Sequence, residues 1–388
     1  MSTSSILFGV TDGYSKILLG DLPREAQKRG WEVHIVSGGE PSFADIDASI
    51  RQHVIPMSRM PSLSSDFEAF FSWIRVIRQV RPEVVSLGTP KAAFLGLIAA
   101  AVLRVPTRIY LLRGLRMELS RGPRRLVLWV TELICAAMST RVIAVSQSLA
   151  TLYLKLRLCN PEKIVVPHLG SSHGVDARHF RPGESGKKDR DIEQILSPSG
   201  PGIPVVGFVG RLTRSKGLET LIRLREHLCN MGIDHEFVVV GRREVNGIDE
   251  DSFALHNGKK VRLIGELRDV RIAYRLMNVL VLPTLREGFP NVVLEANASG
   301  LPVVTTTATG AIDSVVHGVT GLCVPAKNTQ LFLLAVEALL ADRNRMECMG
   351  ENGRKWVLEN FQAERVVRTI IDYHFQLKYS REELNLRK

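Results

Sequence analysis

The sequence predicts an α/β protein of two domains, each built on a parallel sheet with helices on both faces. Three observations carry this. Short apolar runs alternate with segments of helical spacing through most of the chain. The alternation stops in a stretch rich in proline, glycine and charge at 181–204 and then restarts. Finally, 388 residues exceed what one ordinary core covers. Strands joined through helices run parallel, because a helical crossover returns the chain to the same end of the sheet.

In the first half, Ile6 to Val10 is an apolar strand and Thr11 to Ser15 a polar loop. Ile17 to Lys28 has helical spacing through Ile17, Leu18, Leu22 and Ala26, and stops before Gly30. Val33 to Val36 completes a β-α-β start. The loop between them has only Gly9 and Gly13, so it lacks the G-x-G-x-x-G fingerprint of dinucleotide binding. Helices follow at 67–78, 91–103, 124–137 and 147–156, and strands at 84–87, 107–112, 142–145 and 164–166. In the second half the strands are 205–209, 236–240, 261–264, 279–282 and 303–305. Helices lie at 217–229, 269–277, after Pro290, at 331–340 and at 343–360. A last helix, 363–378, has an apolar side of Val366, Val367, Ile370 and Phe375. The expected division is a first domain at 1–180, a linker at 181–203, a second domain at 204–362 and a terminal helix at 363–388. Two such halves would face each other across a cleft at the carboxyl ends of their strands.

Hydrophobic content of 45% and charged content of 23% are those of a globular chain. The longest uncharged apolar run, Ala92 to Leu103, is too short to span a bilayer and reads as a buried helix. The opening residues carry no basic region and no signal-peptide core. The five cysteines are scattered and never form C-x-x-C. Both features lead us to expect a cytoplasmic protein with reduced thiols.

The net charge of +11 is uneven: residues 1–202 carry +8 and the remainder +3. Seven arginines and one acid, Glu118, lie between Arg104 and Arg125. A solvated basic face is one reading. The sharper one is a surface for phosphates, either a membrane leaflet or a lipid diphosphate. No nucleic-acid motif or interleaved aromatic pattern accompanies the arginines, so nucleic acid is not an expected partner.

Chemistry concentrates in two loops of the second half. Gly210 to Gly217 follows a strand and leads into a helix, where α/β sheets bind phosphates. In it Arg211 offers a planar fork and Lys216 a point charge. A solvated basic turn is the plain alternative. The second loop runs from Pro283 through Glu287, Gly288, Phe289, Pro290 and Asn291 into a helix that carries Glu295. The eight-residue spacing of Glu287 and Glu295 says little, since Glu32/Glu40, Glu236/Glu244 and Glu351/Glu359 share it. Their frame says more. Glycine lets a ligand approach the backbone, and a helix start supplies N–H groups and a positive dipole end. Carboxylates there can accept hydrogen bonds from sugar hydroxyls. The alternative is a capping acid without a ligand. Asp45/Asp47 and Asp249/Asp251 have the D-x-D spacing of metal-dependent transferases. Neither pair directly follows an apolar strand, so both read as loop acids and no metal is expected.

These motifs, in order, resemble glycosyltransferase family 4, the retaining group with the two-domain GT-B fold. The resemblance rests on Gly210-Arg211 with Lys216-Gly217, on Pro283-Thr284 with Arg286 to Pro290, and on Glu295 and Gly300 to Val303. Thr309-Gly310, Asp313 and His317 to Pro325 complete it. It implies that Arg211 and Lys216 hold the donor diphosphate, and that Glu295 binds the nucleotide ribose. Glu287, Gly288, Phe289 and Asn291 would contact the donor sugar and distal phosphate. Gly210, Gly13 and Leu267, the last near the base, would complete the donor site. Arg211, Lys216 and Glu287 are thereby the expected catalytic set. Tyr110 to Arg116 and Gly170 to Pro182 resemble members that build bacterial surface polysaccharides on lipid diphosphate carriers. Many members place a histidine where this chain has Arg113, which suits an anionic ligand. Arg113 and Arg116 are therefore candidates for the acceptor or its phosphates.

The activity so implied is retaining transfer from a nucleoside diphosphate sugar, with uridine as the expected base, to a hydroxyl of a lipid-linked saccharide. No cofactor is required, and a peripheral contact with the inner face of the cytoplasmic membrane is an expected extra partner. Two other readings stand beside it: a GT-B sugar-nucleotide epimerase, and a non-catalytic nucleotide-sugar-binding subunit.

Overall fold

The computed structural model describes residues 4–39, 47–58, 62–182, 200, 202–242, 261–267 and 269–385. Asp45, Asp249, Asp251 and most of the expected linker lie outside the described residues. The chain divides into two compact units. One is Met1–Gly174 with Ala363–Lys388, the other Val175–Gln362.

The first unit holds β1 (Ser5–Gly9), β2 (Glu32–Ser37), β3 (Arg51–Val54), β4 (Val84–Leu87), β5 (Thr107–Leu112), β6 (Arg141–Ala144) and β7 (Ile164–Val165). They form one sheet in the order β3-β2-β1-β4-β5-β6-β7, with every pair parallel. β1 and β4 are buried along their whole length, as near-continuous apolar runs in a two-sided sheet must be. β3 is the exception. It is a polar, largely exposed edge strand, and its arginine, glutamine and histidine blunt the edge.

The helices are α1 (Leu22–Lys28), α2 (Leu63–Val80), α3 (Pro90–Val102), α4 (Gly122–Met138) and α5 (Gln147–Lys155). The single helix expected at 17–28 is in fact two pieces. A 3-10 turn covers Gly13–Leu19, and α1 starts afresh with Pro23 in its first turn. Gly20 makes the break, with φ of 50°, and a Cβ there would lie 2.6 Å from His173 Cβ. Only glycine meets both conditions at low cost. Among the described residues no helix is long and apolar enough to cross a membrane. The run 92–103 is instead most of α3, packed under the sheet.

The second unit holds β8 (Val205–Val209), β9 (Glu236–Val240), β10 (Val261–Gly265), β11 (Val279–Leu282), β12 (Val303–Thr306) and β13 (Gly321–Val324). Their order is β10-β9-β8-β11-β12-β13, again all parallel. The helices are α6 (Leu218–Asn230), α7 (Arg271–Leu276), α8 (Asn291–Ala298), α9 (Thr329–Leu340) and α10 (Arg343–Asn360). Phe208, Phe237, Tyr274 and Phe332 sit at the centre of its core. Residues just before the expected linker already belong to this unit. Val175 N–H donates to Phe361 O, and the Phe180 ring lies edge-on to Tyr274.

The final helix, α11 (Ala363–Asn385), packs on the first unit. Val366, Val367, Ile370, Ile371 and Phe375 complete that core. Phe375 stacks on Trp31 with ring centroids 4.4 Å apart, and Arg29 pairs with Asp372 at 2.6 Å.

In each sheet the strand order reverses once, between β1 and β4 and between β8 and β11. At such a switch point the adjacent loops leave toward opposite faces and open a crevice at the carboxyl ends of the strands.

Candidate functional site

The loops after β8 and β11 flank the switch point of the second sheet, and glycines bring them together. Gly217 has φ of 78°, and a Cβ there would meet Pro283 O at 1.9 Å. The first loop therefore lies directly on the backbone that leaves β11. Leu285 N–H donates to Ser215 O at 2.8 Å. Gly241, at the end of β9, approaches Gly210 just as closely. Any side chain at 217 or 241 would push these strand ends apart.

This stitching delivers Lys216 to Glu287. Nζ lies 2.5 Å from Oε1, and both side chains are mostly shielded from water. Thr284 Oγ1 is 2.9 Å from the same oxygen. It also lies 3.1 Å from Ser215 O and from Arg286 O, so its one proton serves one of three acceptors at a time. Glu287 N–H donates to Thr309 O, and Gly310, at φ of 77°, lets the loop after β12 lie against Gly288 O. The carboxylate is thus fixed from three sides.

Pro290 caps α8, whose first residue is Asn291. The N–H groups of Gly288 and Phe289 make no hydrogen bond among the described residues. They stand with the positive end of α8 beside the Lys216–Glu287 pair, an arrangement suited to an anion. The Phe289 ring is buried against Phe361 at 5.5 Å. Only its backbone is available to a ligand. Arg211 is exposed at the start of the first loop, directly after Gly210.

Glu295 is held differently. Its Oε2 accepts a 2.8 Å hydrogen bond from the buried Tyr274 hydroxyl. Burial raises its pKa, and the tyrosine bond offsets part of that rise. No cation in the described residues pairs with it, so it is an acceptor waiting for donors. Leu267 follows β10, half-buried against the core.

The structure therefore brings together Gly210, Arg211, Lys216, Glu287, Gly288, Phe289 and Asn291 on neighbouring loops of one sheet. Gly13, Arg113 and Arg116 belong to the other unit. Gly13 is buried at the start of the 3-10 turn after β1. Arg116 is exposed, whereas Arg113 Nε and Nη1 are shut off from water. Asp47 spends its carboxylate on Ser49, as a loop acid does. Two supporting residues escape sequence reasoning. Thr284 had a visible signal, its place in the Pro283 motif. Tyr274 had none, because it looks like any other core residue of a short helix.

Two loops of this kind at a parallel-sheet switch point define an α/β protein with a site suited to a phosphate-bearing, hydroxyl-rich ligand. The comparisons narrow the class. A family model described as Glycosyltransferase Family 4 matches residues 18–179, and one described as Glycosyl transferases group 1 matches 188–356. The capsular polysaccharide biosynthesis glycosyltransferase CapM of Staphylococcus aureus is 36% identical over 340 residues, covering 87% of this chain and 88% of that one. An Escherichia coli enzyme, UDP-Gal:alpha-D-GlcNAc-diphosphoundecaprenol alpha-1,3-galactosyltransferase, is 26% identical over 86% of this chain and 85% of its own. Among solved structures, sucrose-phosphate synthase from Thermosynechococcus elongatus superposes with a TM-score of 0.80 at 18% identity, covering 97% and 100% of the two chains. Anabaena Alr3699/HepE in complex with UDP and glucose gives 0.75 at 20% identity, over 95% and 99%. The fold is GT-B. The chain belongs to glycosyltransferase family 4 and is a glycosyltransferase.

Proposed function

We propose that this enzyme transfers a sugar, with retention of anomeric configuration, from a nucleoside diphosphate sugar to a hydroxyl of a lipid diphosphate-linked saccharide during surface-polysaccharide biosynthesis. Uridine is the expected base. The observation that carries the reading is the Lys216–Glu287 pair beside two unengaged backbone N–H groups at a switch point. It is supported by CapM, a capsular polysaccharide enzyme, and by the Escherichia coli relative, whose name specifies a UDP-sugar and a diphosphoundecaprenol acceptor.

In this mechanism Arg211, Lys216 and the start of α8 stabilise the charge that grows on the leaving diphosphate. Preorganised charges of this kind act without reorganisation cost. Glu287 accepts a sugar hydroxyl, and Glu295 a ribose hydroxyl, with Gly210, Leu267, Asn291 and Gly13 completing the donor contacts. The departing phosphate takes the acceptor proton on the same face, so no pair of carboxylates is needed, unlike glycoside hydrolysis. No cofactor or metal enters. The first unit takes the acceptor.

A peripheral membrane contact belongs to the same reading. The beginning of α4 exposes Leu126 and Val127, at 63% and 64%, beside the exposed Arg121, Arg124 and Arg125. Apolar side chains beside cations suit an anionic leaflet, each charge contributing about 1 kcal/mol. Neutralising all three arginines should lower partitioning to vesicles rich in anionic lipid. Unchanged partitioning would remove the contact from the account.

The donor is tested by thermal unfolding with a panel of nucleotide sugars, since a ligand bound only by the native state raises Tm by mass action. A nucleoside diphosphate sugar should raise Tm where the free sugar does not. Protection by none of them would reject the reading.

A further inference from the structure

The carboxyl ends of β4, β5 and β6 in the first unit hold a cation with no counterpart among the described residues. Arg113 directly follows β5. Its Nε and Nη1 are buried and donate to nothing among the described residues. The residue as a whole keeps partial exposure, while Nε and Nη1 themselves are closed to water. Burial alone lowers its pKa, to about 10, and no carboxylate counteracts it. Ordinarily a buried guanidinium is paired, because leaving it unpaired is costly.

Its surroundings are shaped to hold it in that state. A Cβ on Gly88, at the end of β4, would lie 3.2 Å from Arg113 Nε, so glycine gives the guanidinium its room. Two histidines flank the region, and burial drives the pKa of each down to about 4, with the charge of Arg113 adding to the effect. Both are neutral at physiological pH. His374 lies 2.8 Å from Ile370 O through Nδ1 and 2.8 Å from Ser86 Oγ through Nε2. The carbonyl can only accept, so Nδ1 carries the proton and Nε2 accepts from Ser86. Gly170 and Ser171, both with positive φ, fold the 170–174 loop over the end of β6, where Ser171 N–H donates to Val145 O. Arg113 thus lies at a strand end between two neutral histidines, where parallel sheets bind ligands, and no carboxylate among the described residues offsets the cost of its burial.

We infer that Arg113 is a receptor for a phosphate oxyanion of a substrate diphosphate, and that the diphosphate is the acceptor's. The second clause rests on the reading above, in which the first unit takes the lipid-linked acceptor. A planar guanidinium can grip two oxygens of a phosphate. The ligand supplies the negative charge that the fold withholds. Arg116, exposed on the following turn, lacks this preorganisation and contributes little.

The test uses the full chain, with farnesyl diphosphate as lipid diphosphate probe and UDP as donor-side probe, each titrated calorimetrically without any transfer. Arg113→Met should weaken farnesyl diphosphate binding by about 10- to 100-fold, the worth of one or two charge-assisted hydrogen bonds. UDP affinity should stay within twofold, and Arg113→Lys should recover part of the loss. Arg113→Met should also unfold at the same temperature as wild type or higher, because it removes an unpaired buried charge. A role in holding the fold moves Tm the other way, so a lower Tm with unchanged farnesyl diphosphate affinity overturns the inference. Loss of UDP binding alone overturns the assignment to the acceptor. Wild type that binds neither probe overturns the inference outright. None of these outcomes depends on sugar transfer, so a failure of the proposed activity is seen separately, as absent turnover by wild type.

Discussion

Replacing Lys216 by methionine separates stability from catalysis at the centre of the site. In the native protein Nζ lies 2.5 Å from Glu287 Oε1, with side-chain exposures of 17% and 11%. Breaking a fully buried pair by removing one partner costs about 3–5 kcal/mol. Residual solvent contact and the Thr284 hydroxyl at 2.9 Å lower that to about 1–3 kcal/mol here. For a unit of this size each kcal/mol moves Tm by roughly 2–4 °C. Catalysis should suffer more. Loss of one preorganised charge facing a developing anion costs about 2.7–4 kcal/mol, or 10²–10³ in kcat. The double variant Lys216→Met/Glu287→Gln removes the orphaned carboxylate. It should regain most of the lost Tm and none of the lost kcat. Stopped transfer assays and thermal melts on wild type and the two variants decide the matter. If the double variant recovers activity along with stability, or if Lys216→Met keeps kcat within about fivefold of wild type, the pair is structural and the catalytic role of Lys216 is refuted.

Two further predictions use buried acids. Glu295→Gln keeps an acceptor for the Tyr274 hydroxyl while removing a charge that burial disfavours. Its Tm should not fall, while the KM for donor rises by about tenfold from loss of a charged acceptor to the ribose; an unchanged donor KM would contradict the ribose role. Glu132 on α4 accepts from Tyr110 and is near Tyr153, and burial pushes its pKa up to about 7. Its folded pKa exceeds the ordinary 4.5, so the native state binds the extra proton between those values and stability falls as pH rises through that window. The total is about 3 kcal/mol, and Glu132→Gln should flatten the pH 5–8 dependence of Tm; an equally steep curve in the variant would assign the slope elsewhere.

Much of the fold was readable because parallel strands buried on both faces are apolar throughout. β1, β4, β8 and β11 announce themselves in this way. β3 did not, since an edge strand of arginine, glutamine and histidine has no apolar signature. The helix expected at 17–28 failed for a tertiary reason: the close approach of His173 to Gly20 lies 153 residues away in sequence. The site was legible as two loops but not as one object. Lys216 and Glu287 are 71 residues apart, and no local pattern announces their ion pair. The seven arginines at 104–125 looked alike in sequence, yet the fold gives them different work. Arg108 bonds the carbonyls of Val105 and Met138, Arg113 buries Nε and Nη1 without a partner among the described residues, and Arg121, Arg124 and Arg125 are exposed. Charge counting cannot make that distinction, because it depends on which side chains the strand ends enclose.

In the proposed reaction a nucleoside diphosphate sugar bound at the β8/β11 switch point donates its sugar to a lipid diphosphate-linked saccharide. The most direct measurement follows radiolabelled sugar from a UDP-sugar into a polyprenyl diphosphate saccharide, with wild type and Arg211→Ala in parallel. With wild type, label should enter the lipid fraction with an unchanged anomeric configuration in the product, and Arg211→Ala should lose about 10²–10³ in kcat. Turnover that leaves the lipid unlabelled, or an inverted product, or equal rates for the two proteins, would contradict it.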